Sequence, residues 1–173
     1  MAPGFDKQMS FLIDQMHTAD WPRVREIYLQ GIAGGQATFE TEAPQWNEWD
    51  AAHLTVPRLV GRDGGKVIGW AALGPVSSRR AYAGVAETSV YVASDARGAG
   101  VGRQLLEALV SEAEKNQLWT LQAVMFPENT ASVALHRACG FREVGRRERI
   151  SKLNGVWRDT IVLERRSQII GVE

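Results

Sequence analysis

Apolar residues recur at helical spacing in several segments of the chain. In the first of them, Trp21, Val24, Ile27, Tyr28 and Ile32 fall on one helical face. Capping residues or a proline at the start, and glycines just past the end, mark the boundaries. The predicted helices run from Pro22, capped by Thr18 or Asp20, to the glycines at 34 and 35, from Pro44 to Leu54, from Val101 to about Asn116, and from Asn129 to Ala138, before Gly140.

Short apolar or alternating segments between these helices predict β-strands. Turn sequences join neighbouring strands at Asp63–Gly65 and at Asn154–Gly155. We expect the longest strand to contain Glu87, Ser89 and Tyr91 on one face. The predicted strands span residues 10–16, 57–61, 66–73, 82–92, 119–126, 141–150 and 156–163. Strands with helices on their faces indicate a mixed α/β layered domain.

Composition favours one folded domain over the whole chain. The 173 residues are 45% apolar and 23% charged, which is enough apolar material for a core. We expect a single domain over 1–173, with a core at about 10–166 and both termini flexible. Twenty basic and twenty acidic side chains cancel, so no net field attracts nucleic acid. The charges separate along the chain, however: 36–63 has five acids and two bases, while 137–152 has six bases and two acids.

The small number of cysteine and histidine side chains limits the disulfide and metal sites that the chain can form. A lone Cys139 excludes an internal disulfide framework and a thiolate metal cluster. His17, His53 and His136 have no metal-binding spacing, so we expect no protein-built metal site. The chain carries no secretory leader pattern and no membrane-spanning apolar run, which makes the cytoplasm the expected location.

The segment from Glu87 to Gly102, ETSVYVASDARGAGVG, carries the strongest functional signal. A strand leads into Gly98, Gly100 and Gly102, and a helix begins there with unpaired backbone N–H groups and its positive dipole end outward. Such a turn suits a phosphate or pyrophosphate, and Arg97 adds positive charge. The spacing matches neither a P-loop nor a dinucleotide-binding fingerprint, but it reads Arg-x-x-Gly-x-Gly.

Two motifs together resemble the GCN5-related N-acetyltransferase (GNAT) superfamily. They are RGAGVG, at 97–102, and ENTASVALHRACGF, at 128–141. The surrounding segments AETSVYV, TFETEAP and GVWRDTIVLE are similar to the phosphinothricin and methionine sulfoximine acetyltransferase branch. The resemblance extends from about Ile13 to Arg165. It implies a mostly antiparallel sheet of about seven strands splayed at the central one, acetyl-CoA as co-substrate, no metal, a small amino-acid-like acceptor and a homodimer.

The resemblance also implies site residues. Glu87 matches a glutamate that acts as base toward the acceptor ammonium, which must lose a proton before or during attack on a thioester. His136 matches a histidine near the departing thiolate. Expected cofactor contacts are Val90, Tyr91, Val92, Arg97, Gly98, Ala99, Gly100, Val101, Gly102, Arg103, Asn129 and Ser132, with the Val90 and Tyr91 N–H groups facing the oxyanion. Expected acceptor contacts are Phe39, Arg79, Tyr82, Glu87 and Thr88, with Arg79 suited to a carboxylate.

Alternatives remain open at this stage. Within the enzyme class, the acceptor could be a peptide N-terminus or a polyamine; an acidic groove would favour the polyamine. A non-catalytic acyl-CoA-binding domain would keep the glycine loop but could lose Glu87 and His136. Trp46 and Trp49 could roof a pocket, form a subunit contact or anchor the core. Cys139 has no adjacent base, so we interpret it as packing and not as a nucleophile. The basic segment 137–152 is a solvated strand face or a contact for the 3′-phosphate of the cofactor.

Overall fold

The computed structural model describes residues 10–172 as seven strands and four helices. The part of the domain expectation that concerns residues 1–9 and 173 lies outside the described residues. Three short 3₁₀ turns lie at Thr18–Asp20, Arg80–Tyr82 and Ser94–Ala96. In chain order the elements are β1 Leu12–Gln15, α1 Trp21–Ala33, α2 Trp46–Ala52, β2 Arg58–Asp63, β3 Lys66–Pro75, β4 Val85–Val92, α3 Val101–Lys115, β5 Thr120–Met125, α4 Thr130–Ala138, β6 Arg142–Leu153 and β7 Val156–Arg166.

The strands form one sheet in the order β1-β2-β3-β4-β5-β7-β6. Every neighbouring pair is antiparallel except β4 with β5. This parallel pairing joins Val85–Glu87 to Thr120–Gln122 and ends there, although β4 continues to Val92. The sheet therefore splays at its centre, and the mixed, mostly antiparallel fold class predicted above is confirmed.

Helices cover both faces of the sheet. On one face the Trp70 ring meets Tyr28 of α1 at 5.8 Å and Trp49 of α2 at 5.6 Å between centroids. On the other face α3 approaches β3 closely, because a Cβ at Gly69 would come within 3.0 Å of Leu105. Glycine is needed there for the helix to pack directly on the strand. The buried core between these layers positions β4, which runs through the middle of the molecule.

The Trp46 and Trp49 pair belongs to the core and not to a pocket roof. Their rings stack at 5.7 Å, Trp49 is only 1% exposed, and Trp21 packs edge-on against Trp46 at 5.5 Å. The guanidinium of Arg58 lies over both rings and donates to Asp50 of the same helix. Core anchoring is therefore the interpretation that the contacts support.

Several boundary predictions were wrong for identifiable reasons. The central strand begins at Val85 and not at Tyr82, since Arg80–Tyr82 forms a 3₁₀ turn, and the longest strand is the twelve-residue β6. Asp20 occupies the position before α1 but makes no side-chain cap. Its carboxylate instead accepts two bonds from Arg62 of β2, at 2.8 and 2.7 Å. A tertiary ion pair has replaced the expected local cap.

The described residues contain no helix long and apolar enough to cross a membrane. Among the same residues no three His, Cys, Asp or Glu side chains come together as metal ligands. Cys139 follows α4 and packs half-buried against the core. Burial raises the pKa of its thiol, which disfavours the nucleophilic thiolate.

Candidate active site

The splay between β4 and β5 opens two adjoining cavities. We call the first, of about 340 Å³ around Glu87, the polar cavity. The second, of about 480 Å³ beside the glycine loop, is the glycine-loop cleft. Both are lined by Ala37, Val90, Tyr91, Asn129 and Ser132, so they share a wall. Two ligands bound in them would meet along the open edge of β4.

The glycine-loop cleft is built mainly from the main chain. Gly98 and Gly100 have φ angles of +78° and +83°, which glycine adopts without strain, and a side chain there would point into open space. The first intrahelical bond of α3 runs from Gln104 N–H to Gly100 O, so the N–H groups of residues 101–103 stay available at the positive helix end. This arrangement fits the pyrophosphate of acetyl-CoA.

Charged side chains complete the cleft. Arg97 and Arg103 line it, and Arg103 also pairs with Glu107 at 2.8 Å. Gly102 lies under α4, where a Cβ would come within 3.3 Å of Leu135. The cleft brings together eleven of the twelve expected cofactor contacts; Ala99 is exposed between its two glycines and does not line the cleft.

The polar cavity contains two carboxylates, Glu87 and Glu40, but no lysine or arginine among its lining residues in the described chain. Glu87 is half-buried on β4, and its Oε2 accepts a hydrogen bond from Gln122 Nε2 at 2.7 Å. Thr160 is 3% exposed, lines the same cavity, and its hydroxyl has no partner among the described residues. An unpaired buried hydroxyl of this kind is suited to a ligand.

His136 lies in the wall of the polar cavity, 4% exposed. Its Nδ1 is 2.8 Å from the carbonyl oxygen of Ser132, which can only accept, so Nδ1 carries the proton. Nε2 lies 3.3 Å from the Thr88 hydroxyl, which donates to the Gln122 carbonyl oxygen, also at 3.3 Å. Burial lowers the pKa of the ring, which keeps it neutral. In this state the ring carries no proton on Nε2.

Tyr28 and Tyr91 form the floor of the polar cavity, with ring centroids 4.9 Å apart. Burial raises the pKa of both phenols, so both hydroxyls stay protonated near neutral pH. Gly31 of α1 gives the Tyr91 ring its space, since a Cβ there would come within 2.7 Å of it. These hydroxyls can donate to a ligand but cannot act as bases.

A short segment after α1, residues 35–40, covers both cavities, and we call it the strap. Its Phe39 lines the polar cavity and packs edge-on against Phe126 at 4.8 Å. Asn129, which caps α4 by accepting from Ser132 N–H, also donates to the Gln36 carbonyl. Arg158 lies 4.1 Å over the Phe126 ring and donates to Gln36 Oε1 at 2.9 Å. The strap is therefore fixed from β7 and from α4.

Arg79 and Tyr82 are not brought to either cavity. Both lie in the exposed turn after β3, and Tyr82 is 45% exposed. Of the expected acceptor contacts, Phe39, Glu87 and Thr88 line the polar cavity. Sequence reasoning missed Gln122, Arg158 and Thr160, whose roles depend on pairing between distant strands. Side chains alternate between the two faces of β5, so Gln122 lies on the same face as Val124. This alternation was the sequence signal available for Gln122.

Comparison with known proteins gives one consistent family. The Acetyltransferase (GNAT) family matches residues 15–141. A phosphinothricin N-acetyltransferase of Alcaligenes faecalis is 38% identical over 152 residues, covering 84% of this chain and 77% of that protein. An L-methionine sulfoximine/L-methionine sulfone acetyltransferase of Pseudomonas paraeruginosa is 34% identical and covers 90% and 94% of the two chains.

A solved structure agrees with these relatives. The phosphinothricin acetyltransferase of Sinorhizobium meliloti, in complex with acetyl-CoA, superposes with a TM-score of 0.83. It is 32% identical to this chain and covers 91% of it and 89% of its own length. The similarity thus spans the splayed sheet, the glycine loop and α4 together.

Proposed function

Because the chain belongs to the acetyltransferase (GNAT) family, we propose that it is an enzyme that moves the acetyl group of acetyl-CoA to the amino group of an L-amino acid or amino-acid analogue. Methionine sulfoximine and phosphinothricin, named for its relatives, are the model acceptors. The observation that carries the proposal is the junction of the two cavities at the open edge of β4. Transfer is direct, within a ternary complex, because the two ligands meet there.

Glu87 acts as the general base. An ammonium group is not a nucleophile, so its proton must leave, directly or through a water molecule, as nitrogen attacks the thioester carbon. Glu87 stands in the polar cavity with one oxygen held by Gln122, which leaves the second oxygen for that proton. A positioned base of this kind contributes roughly 10²–10⁴-fold to the rate.

The oxyanion is stabilised by the main chain of β4. Beyond Glu87 the β5 side of this strand is unpaired, and alternate N–H groups near Val90 and Tyr91 point to that side. Fixed N–H donors aimed at a developing negative charge stabilise it without reorganisation. Val90 and Tyr91 line both cavities, which is where a tetrahedral carbon would form.

His136 has a supporting role. The departing thiolate needs little help, because a simple thiol such as cysteine has a pKa of about 8.5 and leaves readily as the anion. The Nε2 atom of His136 lies 3.3 Å from the Thr88 hydroxyl and packs beside it in the cavity wall. Asn129 and Ser132, at the start of α4, hold the pantetheine arm in the shared wall of the cavities.

One observation favours a second acceptor class. Among residues 10–172, those that line the polar cavity include carboxylates but no cationic side chain, and Arg79 lies elsewhere. A polyamine or a peptide N-terminus needs no such cation, whereas an amino acid brings a carboxylate that must find its partner. The branch of the family to which the chain is similar supports amino acids, and the absent cation supports the alternative.

A thiol-release assay decides between these acceptors. Acetyl-CoA is offered with the common amino acids, methionine sulfoximine, phosphinothricin, spermidine and a short peptide. We expect the highest kcat/KM with an amino acid or its analogue and little release with spermidine. A preference for spermidine or the peptide would overturn the acceptor class while keeping the acetyltransferase.

Three further expectations remain proposals. These are a single domain over residues 1–173, from length and composition, a homodimer, from the resemblance to the branch, and a cytoplasmic location, from the sequence pattern. Light scattering of the purified chain tests the dimer, limited proteolysis tests the domain, and cell fractionation tests the location. A monomer at micromolar concentration would contradict the second proposal.

A further inference from the structure

We propose that Gln122 is the positioning residue of Glu87, and that its side-chain amide sets the direction in which the base points in the polar cavity. The inference rests on the proposed role of Glu87. It concerns a residue that contributes no atom to the wall of the polar cavity and so would act only through its neighbour. The Gln122 Nε2 to Glu87 Oε2 contact of 2.7 Å is its starting point.

The register of the sheet creates this contact. Glu87 and Gln122 form the last pair of the parallel β4–β5 ladder, one step before the strands separate. Neighbouring residues in a ladder point to the same face, so the two side chains are side by side. Gln122 is thus the last β5 residue that can reach β4 across the ladder, and it does so at the mouth of the splay.

Chemistry fixes the direction of the hydrogen bond. An ionised carboxylate only accepts, so the amide nitrogen of Gln122 must donate. Because the donor engages Oε2, the other oxygen of Glu87 stays free for the acceptor proton.

Gln122 is itself held rigidly. Its strand pairs with β7 on the other side, where Gln122 lies opposite Glu164. Its backbone carbonyl lies 3.3 Å from the Thr88 hydroxyl, which also faces His136. A donor mounted on a central strand holds its partner more precisely than one on a loop. One residue therefore contacts both Glu87 and Thr88, the two adjacent β4 residues at the polar cavity.

The test replaces the amide without removing the bulk. Gln122→Met keeps an unbranched side chain of similar length and loses the donor. Gln122→Glu, a second variant of the same shape, replaces the donor with a like charge. Gln168→Met, an exposed glutamine in the C-terminal segment, is the matched control. Each is measured by a kcat/KM–pH profile, by acetyl-CoA affinity in calorimetry and by thermal unfolding.

We expect Gln122→Met to lower kcat/KM about 10- to 100-fold across its pH profile, mainly through kcat, because a misdirected base still permits substrate binding. Gln122→Glu loses at least as much, because it also lacks the donor and places a like charge beside Glu87. Acetyl-CoA affinity and the Gln168→Met profile stay at the wild-type level. A wild-type kcat in both Gln122 variants would overturn the proposal.

A double variant separates this proposal from the one it rests on. If Gln122 acts through Glu87, adding Gln122→Met to Glu87→Gln causes no further loss, because the effects of coupled residues do not add. An equal fold-loss in both backgrounds would show a merely structural role. Wild-type turnover by Glu87→Gln alone would instead refute the base, which is the proposed function and not this inference.

Discussion

The two cavities at the splay are built in opposite ways. The glycine-loop cleft comes from one contiguous segment, in which Gly98 and Gly100 shape the main chain and the start of α3 supplies N–H groups. The polar cavity gathers side chains from distant elements, with Glu87 fixed by Gln122 and the strap fixed by Arg158. Main-chain sites tolerate little change of backbone, whereas side-chain sites depend on each supporting contact.

The largest effect is expected where the backbone forms the site. Gly100→Val places a β-branched residue at φ +83° in the wall of the cleft. We expect acetyl-CoA affinity to fall more than about 100-fold, because strain and the lost approach of the main chain act together. Calorimetry with acetyl-CoA measures it.

The matched control for this variant is Gly155→Val. Gly155 has a φ of +80° in the β6–β7 turn and equally open space around it. It should lose stability to a similar degree and keep its cofactor affinity. Normal acetyl-CoA affinity in Gly100→Val would refute the assignment of the cleft.

A smaller and more selective effect is expected from the strap. Arg158→Ala removes the contacts to Gln36 and Phe126, so Phe39 is no longer held against the polar cavity. We expect the acceptor KM to rise about tenfold with a smaller change in kcat, because the strap binds the acceptor equally well in the ground state and in the transition state. Initial-rate kinetics with both substrates varied measures the split.

Arg142→Ala is the control for Arg158, because its ion pair with Glu164 lies on the exposed face of β6. Exposed pairs contribute little, so its kinetics should match the wild type. Equal loss in both variants would mean that a general charge effect, and not the strap, changed the KM.

Two buried histidines should also make stability depend on pH. Burial lowers the pKa of His136 and of His53, which stacks on Trp49, below the usual 6.5. The unfolded chain then binds these protons first, so the free energy of unfolding falls as pH drops below about 6.5, by about 1.4 kcal/mol per pH unit for each group. Above about pH 7.5 these two histidines contribute no further change.

Urea unfolding at pH 7.5 and 5.5 measures this change. Asp20 and Glu114 have lowered pKa values, so their protonation changes the stability only below about pH 4.5. They therefore do not affect the comparison between pH 7.5 and 5.5. His136→Gln should reduce the decrease. A decrease of wild-type size in that variant would show that the ring takes up its proton in the folded protein.

The smallest effect is expected outside both cavities. Cys139 is half-buried, its pKa is raised, and it lines neither cavity. Cys139→Ala should transfer acetyl at the wild-type rate, within about twofold, because no covalent step passes through it. Loss of turnover with an unchanged unfolding temperature would indicate an acetyl-cysteine intermediate.

The sequence predicted the features that depend on residues close together in the chain. The glycine loop, α3, α4 with its Asn129 cap and the β6–β7 hairpin all follow from spacing within a few residues. The remaining side-chain contacts depend on pairing between strands that are far apart in the sequence. The Asp20 carboxylate binds Arg62 and does not cap α1, and the Gln122 amide contacts Glu87, which is thirty-five residues away in the sequence. The alternation of β5 indicates only the face on which Gln122 lies; which residue it contacts carries no local signal, because register between distant strands is set by the assembled sheet.

The central claim is that Glu87 takes the acceptor proton beside acetyl-CoA bound in the cleft. The most direct test is the kcat/KM–pH profile of Glu87→Gln against the wild type, with acetyl-CoA affinity measured in parallel. Glu40→Gln, the other carboxylate of the polar cavity, is the control. The account predicts a loss of roughly 10²-fold or more at neutral pH and unchanged cofactor affinity for Glu87→Gln alone. Turnover at the wild-type level across the profile would contradict it.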